Sequence, residues 1–241
     1  MIMSVFKPGS VILKLSGEVL AGKTGGFGFD FGVIQKLAEG IKEVRDQGFR
    51  IGIVIGGGNI FRGADKLGRE LNRYTADNIG MLSTMQNALL LADVLNKKNY
   101  TSEVFSAVQC DKIVRFFTAD TALHSFNQGN ICFFCAGTSN PYFTTDTAAV
   151  LRAIEMNADL VLKGTKVDGV YTADPKKDKN AVLLKDVSFD KALADKLKIM
   201  DMTAFSLARD NKMSIKVFNV SDAGMILKAI VDPQVGTLVH A

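Results

Sequence analysis

Four short stretches of this chain bring together side chains and backbone amides that can handle a phosphate. Lys14-Leu15-Ser16-Gly17 ends an apolar run with a cation, a hydroxyl and a glycine. Gly56-Gly57-Gly58 ends a second run, with Arg62 just beyond it. Thr138 to Asp146 joins turn formers to two threonines and a carboxylate, and Lys163-Gly164-Thr165 closes another apolar run with a second lysine. Glycines remove the side chains that would keep an anion away from the backbone amides. Arginine presents a planar fork of donors suited to phosphate. Threonine hydroxyls and the free amides of a helix start make an anion site. Two lysines, one arginine, glycine amides and a helix start form an inventory for phosphate.

The elements that must position these groups can be read from periodicity. Arg50 to Ile55 is apolar on both faces, as a strand in a parallel sheet covered by helices must be. Val11 to Leu15, Ser102 to Val108, Ile131 to Cys135, Asp159 to Lys163 and Ile215 to Asn219 read as further strands, with a closing one at Thr237 to Val239. Lys14 has two readings, a cation aimed into a crevice or an edge residue whose ammonium reaches out to water. Asp30 caps a predicted helix to about Gln47, with Ile34, Leu37, Ile41 and Val44 on one face and Gly48 beyond its end. A long helix is predicted from about Thr75 to Asn96. Its expected core face is Ile79, Leu82, Met85, Leu89 and Ala92, and Asp77 falls in its first turn. Helices are also predicted at Ala119 to Asn127, Asp146 to Asn157 (capped by Thr144 or Thr145), Met200 to Asp210 and Ala223 to Ile230. Asp168-Gly169 reads as a tight hairpin turn. Strands alternating with helices give a mainly parallel, right-handed α/β sheet, whose ligands bind beyond the carboxyl ends of the strands. The phosphate inventory sits at those ends.

Composition narrows the function further. The 241 residues suit one domain, and an apolar content of 47% is enough for a sizeable core. The net charge of +4 suits anionic small molecules, while no run of Lys and Arg interleaves with aromatics as nucleic-acid binding would require. No apolar run approaches a membrane span, and Met1 to Ser10 lacks the core of a signal peptide, so a cytoplasmic protein is expected. Three cysteines do not make a disulfide framework. Cys132 and Cys135 match C-x-x-C, but in a strand that spacing sends the thiols to opposite faces. His124 reads as structural, and with two histidines in the chain a histidine base is not expected.

Two familiar nucleotide motifs fail. Gly17 to Thr24 satisfies G-x-x-x-x-G-K-[ST], yet Gly25-Gly26-Phe27-Gly28 follows where a helix must begin, and Glu18 would set a carboxylate beside the phosphates. Lys23 is therefore not read as a P-loop lysine. The glycine triplet does not fit G-x-G-x-x-G, because Phe61 takes the last glycine's place.

Lys14-Leu15-Ser16-Gly17-Glu18, Gly56 to Gly63, Asn140-Pro141-Tyr142-Phe143-Thr144-Thr145-Asp146 and Lys163 to Tyr171 resemble, in order and over nearly the whole chain, the bacterial UMP kinases. These form the nucleotide-specific branch of the amino acid kinase family, which uses no P-loop. The resemblance implies an αβα sandwich around a mainly parallel sheet, Mg²⁺-ATP as donor and UMP as acceptor in pyrimidine nucleotide synthesis. It also implies a homohexamer built from dimers, with no nucleic-acid or membrane partner. One domain over residues 1–241 is expected, with about 1–150 serving UMP and about 151–241 serving ATP. By position, Lys14, Leu15, Ser16, Gly17, Gly58 and Arg62 would meet the ATP phosphates and the transfer region, and Thr165, Tyr171 and Asp174 the adenosine. Gly57, Asp77, Thr138, Ser139, Asn140, Pro141, Tyr142, Phe143, Thr144 and Thr145 would hold UMP. No protein group is expected to hold the metal, which would come with the ATP phosphates.

A phosphate monoester is already mostly dianionic at neutral pH, so transfer to it needs no general base. The difficulty is to bring two polyanions together and to stabilise the charge on the transferred group. Lys14 and Lys163 can do this, and Asp146 can hold both ammoniums in place. Asp146, like Asp77, also has the plainer reading of a first-turn carboxylate favoured by the helix dipole. Two alternatives stand beside UMP kinase: a relative phosphorylating a carboxylate or carbamate, and a nucleotide-binding storage or regulatory protein on the same fold. The Asn140 to Thr145 block weighs against the first, and the presence of Lys14, Asp146 and Lys163 against the second.

Many members of the resembled family are activated by GTP through a basic pocket between subunits. In this chain Ala92, Asn96, Glu103 and Asn130 stand where the basic groups would be, and Asp93 alone matches. A triphosphate needs cationic partners, and Glu103 adds repulsion. We predict that GTP activates weakly or not at all. Initial rates against GTP, at subsaturating ATP and fixed free Mg²⁺, should stay flat; saturable severalfold activation would contradict this.

Overall fold

A strand that is apolar on both faces must be covered on both faces, and the centre of the molecule is built on that requirement. The structure, a computed structural model, describes residues 8–22, 26–63, 65–175 and 177–241. The P-loop-like Lys23 and the amino-terminal residues 1–7 lie outside these. In chain order the elements begin with β1 (Ser10–Leu15), a short 3-10 helix (Gly17–Ala21), α1 (Phe31–Asp46), β2 (Arg50–Ile55), α2 (Lys66–Glu70) and α3 (Arg73–Asn96). Then come β3 (Ser102–Ser106), β4 (Arg115–Phe116), α4 (Ala119–Asn127), β5 (Ile131–Cys135), α5 (Thr145–Glu155) and β6 (Leu160–Thr165). The chain ends with β7 (Val170–Tyr171), β8 (Leu183–Leu184), β9 (Asp186–Ser188), α6 (Phe189–Ala194), α7 (Met202–Asp210), β10 (Ile215–Asn219), α8 (Met225–Val231) and β11 (Thr237–His240).

Nine strands form one sheet in the order β4-β3-β5-β2-β1-β6-β10-β11-β9. Every neighbouring pair is parallel except β10 with β11. Alternate side chains of the strands feed two apolar clusters. Leu13, Ile53 and Leu162 pack with Ile41 of α1, Leu91 of α3 and Ile226 of α8. Ile12, Val54 and Val161 pack on the other face with Phe126 of α4, Ala149 of α5, Phe189 of α6 and Phe205 of α7. The αβα sandwich with a mainly parallel sheet is therefore the architecture. β1 lies at its centre, bonded to β2 on one edge and β6 on the other. The chain first fills the β2 side and then crosses to the β6 side. That reversal opens a crevice at the carboxyl end of β1.

Local signals behave as their chemistry requires. Asp30 caps α1, its Oδ1 accepting from the Val33 amide at 3.1 Å, and Gly48 takes the left-handed conformation beyond its end, with φ of 85°. Several expectations need correction. Leu82 is exposed rather than in the core of α3, whose buried residues include Ser83, Thr84 and Asn87 alongside Met85 and Leu91. Both sides of α3 are apolar, so spacing alone could not choose between them. Asp168-Gly169 does not turn a hairpin, since β6 pairs with β1 and β10 while β7 pairs with β8. The short β4, β9, α2 and α6 have too few residues to show a period. Among the described residues no helix is long and apolar enough to cross a membrane.

Cys132 and Cys135 point to opposite faces of β5, one into each apolar cluster. Burial pushes both thiols up to about 12, far from the thiolate form that reacts. Native protein treated with iodoacetamide at neutral pH should therefore take at most one adduct, on the half-buried Cys110. Three should appear after denaturation. Rapid native labelling of Cys132 or Cys135, read by mass spectrometry, would contradict this placement.

Candidate active site

In a parallel sheet, residues paired across neighbouring strands point to the same face, and Lys14 of β1 is paired with Lys163 of β6. Two ammoniums are thus forced side by side at the crevice floor, in the middle of the sheet rather than at an edge. Asp146, in the first turn of α5, lies between them. Its Oδ1 is 2.7 Å from Lys14 Nζ and its Oδ2 is 2.6 Å from Lys163 Nζ. Lys163 also donates to the Ile199 carbonyl at 2.7 Å. Burial works against the ionised Asp146 carboxylate, but Lys14 and Lys163 outweigh it and hold the group below the usual carboxylate range. Burial also pulls the Lys163 ammonium down, opposed by Asp146 and assisted by Lys14. The lowered Asp146 value means that this cluster contributes stability above the ordinary carboxylate range, lost as pH falls through that lower value. A carboxylate gripped by two cations is a brace rather than a proton acceptor.

The wall opposite is made of backbone. A side chain at Gly17 would come within 2.3 Å of the Gly56 carbonyl oxygen and 2.4 Å of Asn59 Oδ1. One at Gly57 would meet Ser83 Cβ at 2.6 Å. The two glycine loops approach each other and α3 so closely that only glycine fits. Asn59 and Asn87, both fully buried, lock this contact. Asn87 Nδ2 donates to the Gly56 carbonyl at 2.6 Å and to Asn59 Oδ1 at 2.8 Å, and Asn59 Nδ2 donates to the Gly28 carbonyl at 3.0 Å. Ser16 caps the 3-10 helix, its Oγ accepting from the Glu18 amide at 3.4 Å. The Leu15 side chain is in the core and its carbonyl accepts from Gly56 N at 2.9 Å, so Leu15 faces the crevice only as backbone. Arg62 reaches back over the loop, donating from Nε to the Gly58 carbonyl at 2.7 Å and from a terminal nitrogen to the Gly26 carbonyl at 2.9 Å.

Beside the glycine wall lies a cavity of about 160 Å³. Gly57, Gly58, Asp77, Thr138, Asn140, Phe143, Thr144 and Thr145 all line it, joined by Phe61 and Thr84. Ser139, Pro141 and Tyr142 belong to the same turn but are not part of the lining. The turn is strained, with left-handed φ at Ala136 (59°), Ser139 (65°) and Tyr142 (75°). Asp77 holds it, Oδ2 accepting from the Tyr142 amide at 2.8 Å and from Arg73 Nε at 2.7 Å. Asn72 caps α3, so Asp77 lies in the second turn rather than the first, and the helix-dipole reading of this residue loses its ground. Thr144 is the cap of α5, its Oγ1 accepting from the Asp146 and Thr147 amides at 3.1 and 3.2 Å.

Across β6 the groups are spread wider. Thr165 Oγ1 is 2.7 Å from the Val167 carbonyl oxygen. Tyr171 donates to Asp168 Oδ2 at 3.3 Å, and Asp174 is exposed in the following loop. His124 is exposed on α4 and bonded to Gln128, outside the crevice.

Several contributors escaped the sequence reading. Asn87 could have been noticed as an amide within an apolar helix. Asp201 caps α7 and accepts from Thr144 Oγ1, tying the start of α5 to the far half of the sheet. Arg152 is buried, 3.7 Å from the centroid of the Phe117 ring, and donates to the Gly137 carbonyl at 3.3 Å behind the strained turn. Only the tertiary structure brings Thr144 to Asp201, and Phe117 and Gly137 to Arg152.

An α/β crevice with paired lysines, a bracing carboxylate and a glycine wall is suited to phosphoryl transfer. The sequence profile of the Amino acid kinase family matches residues 9–219, and the chain belongs to that family. It is 45% identical over 229 residues to the uridylate kinase of Photobacterium profundum, covering 95% of each chain. Its fold superimposes on the crystal structure of UMP kinase from Bacillus anthracis with a TM-score of 0.93 at 35% identity, covering 98% of this chain and 97% of that one. The UMP kinase of Ureaplasma parvum gives 0.92, also at 35% identity, covering 98% and 100%.

Lys163→Ala should lower kcat by at least about 100-fold, the scale of losing one preorganised charge stabiliser. The protein should still fold, because the ammonium faces the crevice. Near-wild-type kcat in a variant with an unchanged circular dichroism spectrum would remove Lys163 from the chemistry.

Proposed function

We propose that this chain is an ATP:UMP phosphotransferase that moves the γ-phosphoryl group of ATP to UMP, giving ADP and UDP for pyrimidine nucleotide synthesis. The observation that carries the reading is the Lys14-Asp146-Lys163 cluster beside the cavity lined by the Thr138 to Thr145 turn. Likeness to uridylate kinases over almost the full length supports it. We assign the Gly57, Asp77 and Thr138 to Thr145 wall to UMP, and Lys14 to Gly17, Gly58, Arg62, Thr165, Tyr171 and Asp174 to ATP. Leu15 takes part through its backbone. In this assignment the UMP residues all lie before about residue 150 and the adenosine-bordering residues beyond it, while the ATP phosphates meet residues from the first half.

The chemistry then needs positioning and charge stabilisation alone. UMP brings its own dianionic nucleophile. Lys14 and Lys163 meet the transferred group as its charge spreads, and Asp146 keeps them from drifting apart. The glycine wall admits both phosphates to backbone amides and excludes side chains from the space between them. Among the described residues no three acidic, histidine or cysteine side chains gather as a metal site. Asp146, the carboxylate at the crevice floor, is engaged by two lysines. In this reading a Mg²⁺ ion would come with the ATP phosphates and would neutralise part of their charge. Exposed apolar side chains at the start of α1 and just before it, Phe31 and Phe29, and on α3, Leu82, support assembly into dimers and a hexamer, and we read the enzyme as cytoplasmic.

A coupled assay for ADP release tests the reading, with UMP, CMP, aspartate, acetylglutamate and carbamate as separate acceptors. UMP should be strongly preferred, and a carboxylate or carbamate used as well as UMP would overturn the assignment. Asp77→Asn should raise the KM for UMP about tenfold or more and leave the KM for ATP near its wild-type value, because the carboxylate suits ribose hydroxyls and holds the turn. Arg62→Ala should impair both substrates. An unchanged KM for UMP in Asp77→Asn would leave that residue with a structural role only.

A further inference from the structure

The sequence places a carboxylate, Glu18, where a phosphate-binding crevice should avoid one, and the structure shows what it does there. Glu18 is the second residue of the 3-10 helix that leaves β1, and it leans over the glycine wall. A side chain built on Gly58 would find Glu18 Cγ as its nearest neighbour at 3.8 Å, and one built on Gly26 would meet an Arg62 terminal nitrogen at 2.5 Å and Glu18 Cγ at 3.7 Å. Two cations reach this carboxylate from opposite walls. Arg62, beyond β2, sets a terminal nitrogen 3.3 Å from Oε1. Lys166, the residue after β6, sets Nζ 2.8 Å from Oε2. The hydrogen bond from Lys166, with both positive charges, holds the Glu18 carboxyl below the usual range. The Lys166 side chain is 72% exposed and those of Arg62 and Glu18 are 31% and 30% exposed, so each pair is individually weak and easily exchanged.

We propose that Glu18 is a built-in counterion, standing in for a phosphate between Arg62 and Lys166, and that the donor's polyphosphate displaces it and takes over both cations. This makes Lys166 a further contact for the donor phosphates. The inference rests on reading the crevice as an ATP site. The carboxylate lies above the amides that a phosphate would use, between cations from both sides of the crevice. When a polyphosphate enters, a retained Glu18 would face it across the same space as a like charge, so exchange is favoured. Until then the carboxylate keeps two long cationic side chains gathered near their working positions. A ligand must outbid a carboxylate that is already paired twice, which favours a polyphosphate over less highly charged ligands.

The test is calorimetric titration of the full-length protein with Mg²⁺-ATP and with adenosine, using wild type, Glu18→Gln, Glu18→Ala and the double variant Glu18→Gln/Lys166→Ala. Removing the carboxylate should tighten ATP about three- to tenfold, the scale of two exposed ion pairs no longer competing. Adenosine affinity should not change, since it carries no phosphate. Adding Lys166→Ala to Glu18→Gln should weaken ATP severalfold relative to Glu18→Gln alone. Unchanged or weaker ATP binding in both single variants, or no effect of Lys166→Ala in the Glu18→Gln background, would overturn this inference alone. Wild-type protein that binds no ATP would overturn the functional reading and this inference with it.

Discussion

Two lysines in neighbouring central strands cannot share a register and point the same way without something negative between them. β1 and β6 impose that arrangement, and Asp146 resolves it. Isolated, two partly buried ammoniums so close together would repel each other. With the carboxylate they form a fixed row of alternating charge whose ends face the crevice. The rest of the site is arranged so that this carboxylate cannot move. Thr144 caps the helix that carries it, Asp201 holds Thr144, and the Ile199 carbonyl takes a second bond from Lys163.

The opposite wall solves a different problem with neutral groups. Polyanions must come close to backbone amides, so the loops after β1 and β2 are stripped of side chains and pressed together. Their contact is held by the Asn59 and Asn87 amides, which donate and accept without adding charge. A fully satisfied buried amide network fixes one geometry, and a half-satisfied one would be worse than an apolar contact.

The fold was legible because its central strands are mostly apolar and most of its helices carry caps. The apolar run Ile131 to Cys135 is a strand and Ala119 to Asn127 a helix, as expected, and Asp30 and Thr144 act as the caps their positions suggest. Long-range pairing was not legible. Nothing local in Asp168-Gly169 says that Val170 will pair with Leu184 instead of folding back on β6. The apolar residues of α3 run round both sides, one toward the sheet and one left exposed at Leu82, and a single sequence cannot rank them. Contacts between distant positions, such as Asp201 with Thr144, Arg152 with Phe117 and Lys166 with Glu18, carried no signal until the sheet brought the partners together.

β1 is bonded along both edges at the centre of a nine-stranded sheet, and the Lys14 amide sits in its ladders. Backbone protons there should exchange with deuterium only when the whole sheet comes apart. The turn from Gly137 to Phe143 is held instead by short-range bonds and by single side-chain contacts such as that from Tyr142 to Asp77, so its protons should exchange through local opening. The molecule thus keeps two clocks. The lysines are fixed to its slowest part, and the turn that lines the neighbouring cavity belongs to one of its fastest, so that the turn can open many times without loosening the charges at the crevice floor.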